Sequence, residues 1–185
     1  MRDDVIGELV GTATVPAGPV APLAAGFDAL FDEHFARAVR LAVLSGSPGI
    51  DAQAVAADAL ARVWLKWQTR AVDDFWPYLR VAVVNGVRSA ERHRRVVERH
   101  ARATPPVDAD PAAEPLIVER EAIATALAKL PNRQRTALVL RYFEDLSLAE
   151  CARVMRCSVG TAKSTTARAL AAMRIVLEEQ RDDRD

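Results

Sequence analysis

Residues 101–117 constrain the fold more than any other stretch of the chain. Pro105, Pro106, Pro111 and Pro115 fall within seventeen positions, together with Asp108, Asp110 and Glu114. Proline removes a backbone donor and clashes inside a helix. A solvated stretch rich in proline and acid stays extended. Neither helix nor core is expected there, so the chain must fold separately on either side of a flexible linker. Fully extended, that linker reaches about 55–60 Å.

Both flanking blocks read as helical. Ala, Leu, Val and Arg dominate, apolar residues make up 50% of the chain and aromatics only 5%, a balance that favours helix over strand. In the first block Phe27, Leu30, Phe31, Phe35, Ala38 and Leu41 recur at helical spacing, and Ser45–Gly49 stops that helix. Asp51 starts a second helix, from Ala52 to about Thr69. Asp73 or Asp74 caps a third, with Pro77 in its first turn, where a missing N–H matters least. It runs towards His100. In the second block Leu116–Leu130 is amphipathic, and Pro131 opens a helix ending near Tyr142. Ser147 and Glu150 form a capping box, and Ser158 caps a last helix reaching about Glu178. The expected fold is all-α, with two small helical domains over 27–100 and 118–178. Residues 1–26, rich in Pro, Gly and small residues, are expected to be a flexible tail, and 179–185 a charged one.

The formal net charge is zero, which excludes a uniformly basic coat. The charge is segregated, however: residues 118–181 hold eleven basic and seven acidic side chains, and the linker and both tails are acidic. Cys151 and Cys157 lie six residues apart without a paired His, which gives neither a zinc pattern nor a disulfide framework. His34, His93 and His100 are scattered and suggest no catalytic constellation. No cofactor or metal is implied. No basic region followed by an apolar run opens the chain, and no stretch approaches the roughly 20 apolar residues that span a bilayer. A cytoplasmic protein without membrane insertion is expected.

Two constellations carry chemistry. Ser147–Arg174 places two short helices around Arg156-Cys157-Ser158, with the small Ala152 where the second helix packs on the first, the arrangement of a helix-turn-helix. Its second helix is expected to present Gly160, Thr161, Lys163, Ser164, Ala167 and Arg168 outward and Val159, Ala162, Ala169, Leu170 and Met173 inward. Such a helix enters the major groove with its N-terminal side chains at base edges. Ser158 and Thr161 suit phosphates, and Lys163 and Arg168 suit guanine edges or phosphates. The plainer alternative is a helical hairpin with a solvated face. The second constellation is the end of the third helix, where Arg88, Arg92, Arg95 and Arg99 share one face as a phosphate track. Trp76, Tyr78 and Asn85 precede it and offer stacking groups and an amide for unpaired bases. A solvated arginine face with core aromatics is the alternative there.

These residues resemble the extracytoplasmic-function (ECF) group of the bacterial sigma-70 family. In the second block Leu130-Pro131, Gln134-Arg135, Leu140-Arg141-Tyr142, Leu146-Ser147, Glu150, Ala152, Ser158-Val159-Gly160-Thr161, Lys163-Ser164 and Arg168-Ala169 follow the family's order and spacing. In the first block Ala59–Trp64, Tyr78-Leu79-Arg80 and Asn85 followed by arginines also match. The resemblance implies a transcription initiation factor, not an enzyme, that binds core RNA polymerase and directs it to promoter DNA. It places Ser158, Gly160, Thr161, Lys163, Ser164 and Arg168 at the −35 element. Trp76, Tyr78, Asn85, Arg88, Arg92 and Arg95 fall at the −10 element, and Gln53, Asp58 and Arg62 at the polymerase. An anti-sigma factor is a further partner of the kind the family takes. A sigma-like interaction protein that binds DNA or an anti-sigma partner without productive polymerase engagement is the alternative. Five positions depart from the pattern: Gln53, Ala54 and Ala57 stand where the family carries Glu, Asp and Gln, and Ala162 where it usually carries Val. The fifth, Arg156, stands where the turn often has Gly, at a cost of about 1 kcal/mol if φ is positive.

Overall fold

A computed structural model of the chain describes residues 21–67, 74–101 and 118–182, and every regular element in them is helical. The first helix, α1 (Ala21–Ser45), begins within the stretch expected to be a tail. Its apolar row of Phe27, Leu30, Phe31 and Phe35 lies against the core, and Ala38, Leu41 and Ala42 are fully inside it. The turn that follows holds Gly49 at φ +85°, a conformation that L side chains rarely adopt. Asp51 then caps α2 (Ala52–Trp67) by accepting the Ala54 N–H at 2.8 Å. Asp74 opens α3 (Phe75–Ala101) by accepting the Trp76 N–H at 3.1 Å. The choice left open between Asp73 and Asp74 therefore falls on Asp74.

The inner face of α2 (Ala56, Ala59, Leu60, Val63) packs on Leu79, Val83, Val84 and Val87 of α3. Gly86 permits that approach, because a Cβ there would lie 3.0 Å from Val55 Cγ1. Beyond Glu91 the core ends, and α3 continues outward with every residue from 92 to 99 exposed except Arg94, which is half-buried.

The second group comprises α4 (Val118–Lys129), α5 (Asn132–Leu138), α6 (Leu148–Met155) and α7 (Val159–Asp182). Between α5 and α6 the chain widens into a π-helical turn over Val139–Phe143, a local feature that residue spacing does not reveal. The Ser147–Glu150 capping box forms as expected, each side chain bonded to the other's backbone N–H. The last helix reaches Asp182, so most of the expected C-terminal tail is helical. The expected linker beyond Ala101, and the end of the second helix near Thr69, lie outside the described residues.

The two groups are docked on one another. Residues 135–140 are buried without interruption, because α5 is packed by α7 on one side and by α1 on another. The apolar core runs from one group into the other. Arg135 sits at this junction with its guanidinium buried, donating to the carbonyls of Leu127, Ala128, Leu130 and, from the other group, Gly46. Burial pulls its pKa down, and the negative charge of Glu91 opposes that pull.

Candidate nucleic-acid interface

The turn between α6 and α7 sets the orientation of the exposed α7 face. Arg156 takes the left-handed conformation (φ 53°, ψ 56°) and the Cys157 N–H closes onto the Ala152 carbonyl at 3.0 Å, a helix-terminating geometry usually filled by Gly. Ala152 is buried where α7 packs. Ser158 then caps α7: its Oγ accepts the Thr161 N–H at 3.1 Å and lies 2.8 Å from Thr161 Oγ1. These two hydroxyls satisfy one another, so they shape the start of the helix before they meet any ligand.

From that start α7 presents two parallel rows. Val159, Lys163 and Ala167 form one, and Gly160, Ser164 and Arg168 the other, all exposed. Arg168 lies back along the helix, its Nε donating to the Ser164 carbonyl at 3.3 Å. Ser164 Oγ donates to the Thr161 carbonyl. The inner face is Ala162, Thr165, Thr166 and Ala169, all buried. Thr166 escapes the cost of a buried hydroxyl by donating to the Ala162 carbonyl at 2.9 Å.

Val159, expected inward, is instead 50% exposed. At about 100° per residue it lies about 40° from Lys163 and about 60° from Ala162. Side chains also tilt towards the helix N-terminus, so a first-turn residue points past the body that its helix packs on. Thr161, expected outward, is half-buried.

On α3 the expected −10 residues separate into two sets. Arg92 and Arg95 are exposed, Tyr78 is 49% exposed and Asn85 is half-buried. Arg99 Nε donates to the Arg95 carbonyl. Trp76 and Arg88, by contrast, are engaged with the second group. Trp76 is 6% exposed. The Arg37 guanidinium lies 3.9 Å over its ring, and His34 flanks it at 5.9 Å between centroids. Its Nε1–H donates to Glu144 Oε2 at 2.9 Å. Arg88 Nη2 donates to the Met155 carbonyl at 3.1 Å, at the negative end of α6. In this arrangement Trp76 offers no free stacking face. Arg94 stands apart from the arginine track and bonds the Pro48 carbonyl.

The expected polymerase residues lie on the outer face of α2, where Gln53, Ala54, Ala57, Asp58, Ala61, Arg62 and Leu65 are all exposed. Asp58 and Arg62 pair with each other at 2.6 Å. Burial pushes the Cys151 thiol up, which leaves it an unreactive core residue.

Two carboxylates at the junction escaped sequence reasoning. Glu144, 8% exposed at its side chain, accepts from Trp76 and pairs with Arg37 at 3.1 Å and Arg80 at 3.5 Å. Glu91, 3% exposed, accepts from the Ser47 amide and hydroxyl and from Asn132 Nδ2 at 2.9 Å. Burial alone would push the Glu91 carboxyl up. The Ser47 and Asn132 hydrogen bonds and the nearby Arg94 charge outweigh it, so the net pKa lies below the ordinary value.

Residues 120–173 match the family model described as Sigma-70, region 4. The chain is 35% identical over 129 residues to the RNA polymerase sigma-E factor of Streptomyces coelicolor, covering 68% of this chain and 71% of that relative. It is 30% identical over 169 residues to the ECF RNA polymerase sigma factor SigL of Mycobacterium tuberculosis, covering 88% and 95%. Its fold is similar to that of the sigma factor RpoE in complex with the anti-sigma factor NepR from Bartonella quintana. The TM-score there is 0.68, with 21% identity over 83% of this chain and 97% of that one.

Proposed function

The chain belongs to the ECF group of the sigma-70 family, transcription initiation factors that bind core RNA polymerase and direct it to promoters, and from that premise we propose how its residues divide the work. The two exposed rows at the start of α7 carry the reading. A capped helix held at a fixed angle by the α6 turn, with a lysine, a hydroxyl and an arginine on its outer face, suits insertion in a major groove. Lys163, Ser164 and Arg168 contact the −35 element, with Gly160 allowing close approach and Ser158 and Thr161 fixing the helix start. Tyr78, Asn85, Arg92 and Arg95 on α3 serve the −10 element, joined by Trp76 and Arg88 once these leave the second group. Duplex melting needs stacking surfaces for unpaired bases, and the covered Trp76 is one.

Gln53, Asp58 and Arg62 on the outer face of α2 meet the polymerase. Residues 27–100 and 118–178 work as two units, each docking separately on polymerase across the 101–117 linker. The free chain, with its halves docked, binds promoter DNA weakly, and the holoenzyme binds it tightly. The protein acts in the cytoplasm, where polymerase and promoters are, and is held in check by an anti-sigma factor, as RpoE is found with NepR. It has no catalysis of its own.

Run-off transcription with purified core polymerase on a promoter library tests the reading. Transcripts from a discrete promoter set, which broadens at one −35 position with Arg168→Ala, are expected. No transcript, together with no retention by core at low salt, would favour the sigma-like interaction protein. Tight, specific binding by the free chain alone would favour an ordinary DNA-binding regulator.

A further inference from the structure

We infer that Val159 is a specificity-determining residue, its methyl groups packing on the C5-methyl of one thymine in the −35 element. The inference rests on the proposed docking of α7 at that element. Polar side chains on the α7 face read hydrogen-bonding edges, whereas the thymine methyl is registered by apolar groups, a threonine methyl included; Thr165 and Thr166 are buried and Thr161 is half-buried. Among residues 158–168 the apolar side chains are Val159, Ala162 and Ala167. Ala162 is buried and Ala167 carries a single methyl. Val159 is therefore the one branched apolar side chain on the groove-facing surface, 50% exposed and one turn before Lys163 in the same row.

Its surroundings favour close approach to a base. The next residue is Gly160, where a Cβ would meet nothing nearer than Ser158 Oγ at 4.0 Å, so no side chain from that position shields the valine. The Ser158 and Thr161 hydroxyls beside it are bonded to each other, which occupies one of their two protons and holds both oxygens at the helix start. A β-branched side chain in a helix is held in essentially one rotamer, so the methyls are positioned before DNA arrives. The recognised group is thus a thymine methyl near the base edge contacted by Lys163.

The test uses holoenzyme assembled from the full chain and core polymerase, on a promoter chosen from the library. Each thymine of the −35 element is replaced singly by deoxyuracil, which deletes only the methyl. One replacement is expected to lower promoter affinity about three- to fivefold, the value of one buried methyl-sized group. Val159→Ala should lose a similar factor on thymine DNA and become indifferent to that replacement. A uniform loss on all DNA, or equal sensitivity to deoxyuracil in both proteins, overturns the inference. Arg168→Ala separates the two levels. If it abolishes dependence on the −35 sequence while Val159→Ala behaves as wild type, only the valine contact falls. If neither variant changes that dependence, the docking of α7 falls with it.

Discussion

The indole N–H of Trp76 donates to the Glu144 carboxylate at 2.9 Å, joining residues 68 positions apart and fastening α3 to the segment that precedes α6. The same oxygen also takes Arg37 and Arg80, so a single carboxylate gathers three groups of the first half. Removing it leaves Arg80 and the indole N–H without their partner in a nearly dry junction, unless the halves part and water reaches them.

Glu144→Ala should therefore open the free chain, not unfold it. Charge-assisted hydrogen bonds contribute about 1.5–3 kcal/mol each, enough to move the docking equilibrium at least tenfold. Small-angle scattering should register a larger radius of gyration, with helicity by circular dichroism retained. Glu144→Gln, which keeps an acceptor for Trp76, should fall between the two. An unchanged radius in the alanine variant would show that the apolar contact between α1 and α5 holds the halves alone.

Acid should weaken the junction through Glu91. Its folded pKa lies below the ordinary value, so its contribution is complete above the unfolded value of about 4.3 and is lost as pH falls below that towards the folded pKa. Thermal melts between pH 6 and about pH 3 should show a falling midpoint in the wild type, with a shallower slope in Glu91→Gln. Equal slopes would mean that other carboxylates dominate.

Arg156→Gly should stabilise the second group. Arg156 holds φ 53°, a conformation that costs an L residue about 1 kcal/mol or more. Part of the gain is cancelled because glycine is more flexible when unfolded. A net gain of about 0.5–1 kcal/mol should raise the melting midpoint by roughly 1–4 °C for a chain of this size. A lower midpoint would mean that the arginine side chain makes a compensating contact.

Arg168→Ala and Arg153→Ala should differ in kind. Arg168 faces outward in the second row of α7 and, as a bidentate base reader, is worth about 1–3 kcal/mol at one promoter position, where specificity should relax. Arg153 is 78% exposed on α6 and pairs only loosely with Glu150 at 3.8 Å. As a phosphate contact it should weaken all sequences alike. Matching profiles from the two variants across a −35 library would count against base reading by Arg168.

Restoring the acids on α2 should tighten the grip on polymerase. Gln53 and Ala54 are both exposed, so Gln53→Glu and Ala54→Asp can be introduced without disturbing the packing on α3. Retention of the double variant by immobilised core should survive a higher salt concentration than wild type. No difference would mean that this face lies away from the polymerase.

Local chemistry made much of this legible from sequence. Caps and turn residues act within four positions, so Asp51, Asp73 or Asp74, Ser147 with Glu150, and Ser158 could each be read as helix starts, and the helix-turn-helix followed from them. The positive φ at Arg156 was legible only as a condition, through the glycine that the resembled family often carries there. Val159 was misplaced because periodicity assigns a face but not where a helix overhangs its neighbour. Glu144, Glu91, Asn132 and Arg135 were invisible as junction residues because their partners lie far along the chain. A lone acid beside a helix end looks solvated until the other half is in place. Trp76 and Arg88 carried both meanings at once: the residue types suit nucleic acid, and the folded chain uses them on itself.

In the closed chain Arg88 is drawn to the Met155 carbonyl, away from the position that a proposed −10 phosphate contact requires. On the proposed reading, the bond at the end of α6 makes the second half a competitor of −10 DNA for Arg88, while the outer face of α7 stays exposed. Their affinities are coupled reciprocally: whatever closure takes from −10 binding, −10 binding takes from closure. A chain that is open about one time in a hundred shows a −10 affinity about a hundredfold below its intrinsic value. On that reading, the strength of this one junction sets how far the −10 face of the unassembled protein is withheld from the genome's competing sites.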